Sequence, residues 1–247
     1  MWIIKDLKKN AIVVLKQSYW KAFLASLILA LIGGSSGSSF NITWNMESSD
    51  FRLAQPFVPD PGLAFTPQLI ALFISTMIIV FILFLAIRIF IGYPLEVGVR
   101  KYFVNSQQLN FDLNQLGYAF NKKSYLDIIK TMFWRALLNF LWFLLLVIPG
   151  IVAAYAYRMV PYILSDNPNI GFKRAVKLSV QMTRGHKFHI FLMDLSFLGW
   201  LLLGTIALFV GVLFVLPYIN AANAELYVAL RYYAIEKGIC TCEELLV

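Results

Sequence analysis

Where this chain carries no charge constrains it most. Residues 67–94, PQLIALFISTMIIVFILFLAIRIFIGYP, hold one charge, Arg88. Residues 188–233 hold only Asp194, Glu225 and Arg231 as formal charges. A run of about 20 apolar residues matches the roughly 30 Å hydrocarbon core of a bilayer. The chain therefore reads as all-α: a polytopic transmembrane helix bundle forming one integral membrane domain over residues 1–247.

Charged residues make up 14% of the 247, against about 25% in a soluble domain. The +8 net charge does not point to nucleic acid, because the bases form no separate domain. They mark one side of the membrane instead. Of 21 Lys and Arg, only Arg52 falls in a segment read as external. Retention of bases on the inner side orients the chain with both termini in the cytoplasm. The two cysteines, Cys240 and Cys242, both lie in the tail and give no disulfide framework. The first residues mix charged and apolar positions, unlike a signal peptide.

Six spans are expected. Residues 2–19 put Ile3, Ile4, Leu7, Ala11, Val14 and Leu15 at helical spacing, with Lys5, Lys8, Lys9 and Lys16 opposite. This segment (1–21) is either an interfacial amphipathic helix or a cytoplasmic extension of the first span. The first span covers 22–34. A Gly-, Ser- and Pro-rich external loop follows at 35–66, then a second span at 67–93. Residues 94–130 form a basic amphipathic cytoplasmic segment with Arg100, Lys101, Lys122, Lys123 and Lys130. Ser124 and Asp127 suggest a capping box that starts a helix near Tyr125. That helix becomes the third span and ends at Pro149-Gly150, a turn signal. The fourth span, 151–164, contains Arg158 and Pro161. Asn167-Pro168 reads as a cap and first-turn proline for a second basic amphipathic segment at 165–187. The fifth span starts at Phe188, turns between Gly204 and Gly211, and the sixth returns to about Tyr233. A polar cytoplasmic tail occupies 234–247. The order suggests three repeats of an inner amphipathic helix followed by a hairpin.

Four blocks carry a family resemblance: LKKNAIVVLKQSYWKA, FLWFLLLVIPGIVAAYAYRMVPYILSDNP, FKRAVKLSVQMTRGHKFHIFLMDLSFLGWLLLG and LPYINAANAELYVALRYY. Together they resemble the domain-of-unknown-function 975 integral membrane family of mainly Gram-positive bacteria. The resemblance covers nearly the whole chain outside 35–66. The RGHK stretch departs from the commoner Lys-Gly there. The family is also distantly similar to the membrane domain preceding some glycerophosphodiester phosphodiesterases. The resemblance implies a bacterial cytoplasmic membrane location and brings no catalytic residues.

Four ionisable residues fall at membrane depth: Arg88, Arg158, Asp194 and Glu225. Such groups must pair, hydrate or snorkel. Arg88 lies near the inner end of its span, where it can snorkel. Arg158 can pair with Asp194 or Glu225, or contact a lipid phosphate. Asp194 has Arg158, Arg184 and Lys187 as candidate bases. Glu225 sits in NAANAELY, where small residues allow close helix approach. His186 and His189 lack a third ligand nearby, and Cys240-Thr241-Cys242 is too small a set for zinc. The sequence holds no phosphate loop, nucleophile elbow or metalloprotease motif. No catalytic, metal or cofactor site is expected.

Two functions remain open. One is a non-enzymatic protein organising anionic lipid or membrane-protein partners, with Lys5, Lys8, Lys9, Lys173, Arg174 and Lys177 as lipid-binding candidates. The other is a transporter or permease subunit with a polar site at the midplane.

Overall fold

A computed structural model of the chain describes residues 3–32, 67–206 and 210–245. The loop expected at 35–66 lies outside these residues, as does part of the turn expected between Gly204 and Gly211. The described residues form helices joined by turns, with no strand among them.

Helix α1 (Ile4–Ile32) kinks at Ser18, whose backbone leaves the helical region (φ −150°, ψ 43°). The amphipathic segment and the first span are thus one helix bent once. Leu7, Ala11, Val14 and Leu15 are buried and Lys5 and Lys9 exposed. The apolar face is spent on the protein core.

Helix α2 (Pro67–Ile87) passes through a π-helical turn (Arg88–Gly92) into α3 (Tyr93–Ser106). The span does not stop at Pro94, as expected, because the wider turn accommodates the proline at the start of α3. The Phe90 carbonyl, one α-turn before Pro94, accepts a hydrogen bond from the Tyr125 hydroxyl at 2.7 Å. Residues 71–85 of α2 are exposed on every side. An apolar helix left bare all round suits lipid, not water.

The start of the segment expected to be interfacial, 94–130, departs further from that expectation. Helix α3 is largely enclosed, with Tyr102, Phe103, Val97 and even Arg100 buried. A 3₁₀ segment (Leu113–Phe120) lies against α3 so closely that a Cβ on Gly98 would come within 2.2 Å of the Leu116 carbonyl oxygen.

Helix α4 (Tyr125–Leu145) begins where expected, but the Ser124 side chain does not cap it. It pairs with α5 (Val147–Ala156) through a turn at Leu146, whose backbone is extended (φ −161°, ψ 147°). The turn lies before Pro149-Gly150, which instead sits in the first turn of α5. Gly150 is needed there, since a Cβ would meet the Phe143 ring at 2.6 Å. The hairpin tip is apolar, with Leu144, Leu145, Leu146, Val147 and Ile148 all exposed.

After α6 (Val160–Asp166), Asn167 does not cap the next helix. Its side-chain oxygen accepts from the Asn169 backbone N–H at 3.0 Å, an Asx turn, and α7 (Phe172–Thr183) starts after Gly171 at φ 82°. Ala175, Leu178, Ser179 and Met182 face the core, and Lys173, Lys177 and Arg184 face out.

Helix α8 (Lys187–Ile206) and α9 (Val210–Glu236) form the last hairpin. Their ends touch through Gly204 and Gly211, where a Cβ on either would come within 2.8 Å of the other's backbone. Among the described residues, five stretches are long and apolar enough to cross a membrane: Ile4–Ala30, Ala71–Ser106, Tyr125–Leu145, Val147–Asp166 and Gly211–Glu236. Helix α8, expected as the fifth span, carries Lys187 and His189 in its first turn and Asp194 in its middle.

The tail folds back at Gly238 (φ 65°), burying Cys240 and Leu245.

Candidate functional site

The polar chemistry of this protein is concentrated inside the bundle. Arg158 occupies the short non-helical turn between α5 and α6, where backbone groups lose their helical partners. Ser179 of α7 replaces them: its hydroxyl accepts from the Met159 N–H at 3.2 Å and donates to the Ala156 carbonyl at 2.7 Å. This turn aims Arg158 at α8. Its Nη1 lies 2.6 Å from Asp194 Oδ2 and its Nη2 2.8 Å from Oδ1, a two-pronged pair. Tyr155 donates to Asp194 Oδ2 at 3.0 Å, and Arg158 Nη2 also donates to Asn223 Oδ1 of α9 at 2.7 Å. The pair ties three helices together. Two polar groups in it stay without an acceptor among the described residues, Arg158 Nε and Asn223 Nδ2.

A second cluster joins α6 to α9. Asp166 Oδ2 accepts from Arg231 Nη1 at 2.8 Å and from the Tyr227 hydroxyl at 2.6 Å. Both charged side chains are about 95% buried or more (3% and 5% exposed). Tyr227 stacks on Tyr162 with ring centroids 5.2 Å apart. Tyr162 in turn accepts from Arg100 Nη1 at 3.2 Å, and the same nitrogen donates to Asn220 Oδ1 at 3.0 Å. Asn220 Nδ2 then donates to Ser26 of α1 at 3.0 Å. A chain of polar contacts therefore runs α1–α9–α3–α6–α9. Asn220 and Asn223, three apart on α9, serve Arg100 and Arg158 respectively.

Glu96 of α3 is buried between two arginines, Arg88 and Arg135, each 3.6 Å from a different carboxylate oxygen. Arg88 also lies 5.4 Å from the Tyr93 ring centroid. It is turned into the protein rather than away to headgroups.

Of the residues singled out in the sequence, Arg158 and Asp194 come together and Glu225 joins neither. Glu225 is half-buried and has no hydrogen-bond or ion-pair partner among the described residues. Reading the sequence alone did not find Asp166, Glu96 or Asn220 as network members. The one available signal was Asn220 and Asn223 at a one-turn spacing inside an apolar run.

The surface bases divide in two. Lys8 is half-buried, 3.4 Å from the Ser196 carbonyl and 4.2 Å from the Phe197 ring centroid. Arg174 is taken up by the tail: it bonds both carboxylate oxygens of Glu244 and the Ile239 carbonyl, the latter at 2.9 Å. Asn167 Nδ2 adds a 2.9 Å bond to the Glu244 carbonyl. The Arg174 hydrogen bond holds the Glu244 carboxyl below its ordinary value, and burial pushes the Cys240 thiol up. Lys5, Lys9, Lys173 and Lys177 remain exposed. His186 packs edge-on against Tyr233, with centroids 5.1 Å apart. No group of three metal-ligating side chains occurs among the described residues.

Bare apolar helices around an ionic interior define a membrane protein. The chain belongs to the family described as protein of unknown function (DUF975), which matches residues 3–234. No curated protein and no solved structure matches it.

Proposed function

We propose that this protein is a non-enzymatic, multi-pass protein of a bacterial cytoplasmic membrane that organises anionic lipid and membrane-protein partners around it. In this reading the chain makes six passes in three hairpins, both termini lie in the cytoplasm, and the basic helices lie at the inner face. One observation carries it: the buried acids Asp166 and Glu96 and the part-buried Asp194 are all engaged by arginines of the protein itself, while lysines on the outer surface are left to solvent or lipid. An interior closed on itself supports scaffolding, and exposed lysines beside an apolar surface attract anionic headgroups at about 1 kcal/mol each. The test is purification from vesicles of mixed phosphatidylglycerol and phosphatidylcholine, with the retained lipid identified. Enrichment of phosphatidylglycerol is expected; retention in the vesicle ratio overturns the reading.

A transport role is the second reading. Its support is Glu225, half-buried in a span without a partner, together with the unmatched donors on Arg158 and Asn223. Buried polar groups left open can mark where water or a solute sits. Purified protein in liposomes that collapses an imposed pH gradient, with Glu225→Gln abolishing the effect, would favour transport over scaffolding.

A further inference from the structure

Two lysines from different helices approach one aromatic ring. Lys130 Nζ of α4 lies 5.1 Å from the Phe172 ring centroid, and Lys173 Nζ of α7 lies 5.8 Å from the same centroid. Trp134 closes the side of this cluster, edge-on to Phe172 with centroids 5.3 Å apart. Both lysines are exposed, and neither has a carboxylate partner among the described residues. Asp127, one turn before Lys130, is exposed and makes no ion pair with it. Two positive charges therefore flank one exposed ring without a carboxylate to neutralise either, which favours an anion at this place.

The surroundings say which kind of anion. From Lys130 the exposed face of α4 continues through Phe133, Trp134, Leu137, Phe140, Leu141 and Leu144. These residues recur every three or four positions and form one stripe. From Lys130 to Leu144 the stripe runs about 21 Å, longer than the roughly 15 Å hydrocarbon depth of one leaflet. A free phosphate would use the lysines and leave the stripe unused. An anionic phospholipid uses both: its phosphate faces the ammoniums and its acyl chains lie along α4.

We propose that Lys130 and Lys173 hold the headgroup of one anionic phospholipid, with Trp134 and the α4 stripe against its chains. The proposal deepens the lipid-organising reading above and rests on it. Three full-length proteins test it: wild type, Lys130→Gln/Lys173→Gln, and Lys122→Gln/Lys123→Gln. The last removes the same two charges from exposed positions just before α4. Each is reconstituted in nanodiscs of equal phosphatidylglycerol and phosphatidylcholine, released in the mass spectrometer, and scored for retained phosphatidylglycerol. Loss of the Lys130/Lys173 pair should lower retention about tenfold, and loss of Lys122/Lys123 should not. Equal loss in both variants, or none in the first, overturns the site while wild-type enrichment still stands. No enrichment in wild type overturns the broader reading as well. In lipid-free detergent, inorganic phosphate binding that depends on Lys130 and Lys173 would assign the pair to a soluble anion and overturn the lipid site.

Discussion

Arg158 and Asp194, 36 residues apart in the chain, meet as a two-pronged ion pair with nitrogen–oxygen distances of 2.6 and 2.8 Å. Arg158 is 1% exposed and Asp194 19%, so the pair is shielded on the arginine side and reachable on the other. Removing one partner strands the other, which costs more than the pair itself contributes.

Asp194→Leu should therefore lower stability by about 3 kcal/mol, while Asp194→Asn, which can still accept one bond, should cost about 1–2 kcal/mol. The double variant Arg158→Leu/Asp194→Leu should recover much of the loss. Thermal unfolding in detergent across this cycle is the measurement. An Asp194→Leu protein as stable as wild type would show that the pair does not hold the bundle together.

Ser179 supports Arg158 from α7 by satisfying two backbone groups at the α5–α6 break. Ser179→Ala leaves both without that partner and should destabilise by about 1–3 kcal/mol. Ser179→Cys, whose thiol bonds weakly, should fall between. The same unfolding assay reads both.

Gly98 lies under the 3₁₀ segment with no room for a Cβ. Gly98→Ala should force that segment away and cost about 1–3 kcal/mol or more. Gly117→Ala, whose added Cβ meets nothing within 4 Å, is the matched control and should be near neutral. Equal loss in both would argue against the close approach.

The tail latch should open with acid. Glu244 has its folded value depressed by Arg174, so its contribution is fully present above the ordinary carboxylate value of 4.5. It is lost as pH falls through the lower folded value. In a Cys242→Ser background, Cys240 should stay slow to react with an acid-tolerant disulfide reagent above that range and become fast below it. Glu244→Gln should make it fast at neutral pH. A flat pH profile would mean that the tail is held without the Glu244 charge, by the burial of Leu245 and the backbone bonds from Arg174 and Asn167.

The α4–α5 tip is apolar and exposed from Leu144 to Ile148, so in a six-pass chain it should lie at the outer edge of the hydrocarbon core and not in water. In a chain lacking Cys240 and Cys242, a cysteine at Leu146 should resist a charged thiol reagent added from outside, whereas one at Ser48 should react. Fast labelling at Leu146 would place the tip in water.

What the sequence determined by itself is the class of molecule and its apolar helices. Hydropathy and charge are summed over neighbouring residues, so they can be read without knowing any contact. The 21 residues of α2 needed nothing else. Helix α4 starts where the capping box placed it, although the Ser124 side chain makes no cap. The tertiary structure decided which charges are structural. Arg100 looked like one more base in an amphipathic segment, yet α3 carries it into the centre, against Asn220, 120 positions away. Asp166 looked like a loop acid beside Asn167-Pro168, and its partner Arg231 is 65 positions on. Arg174 looked like a lipid ligand until the tail folded back onto it. Local sequence records the cost of burying a charge, but the compensating partner comes from another helix, and only packing brings the two within 3 Å.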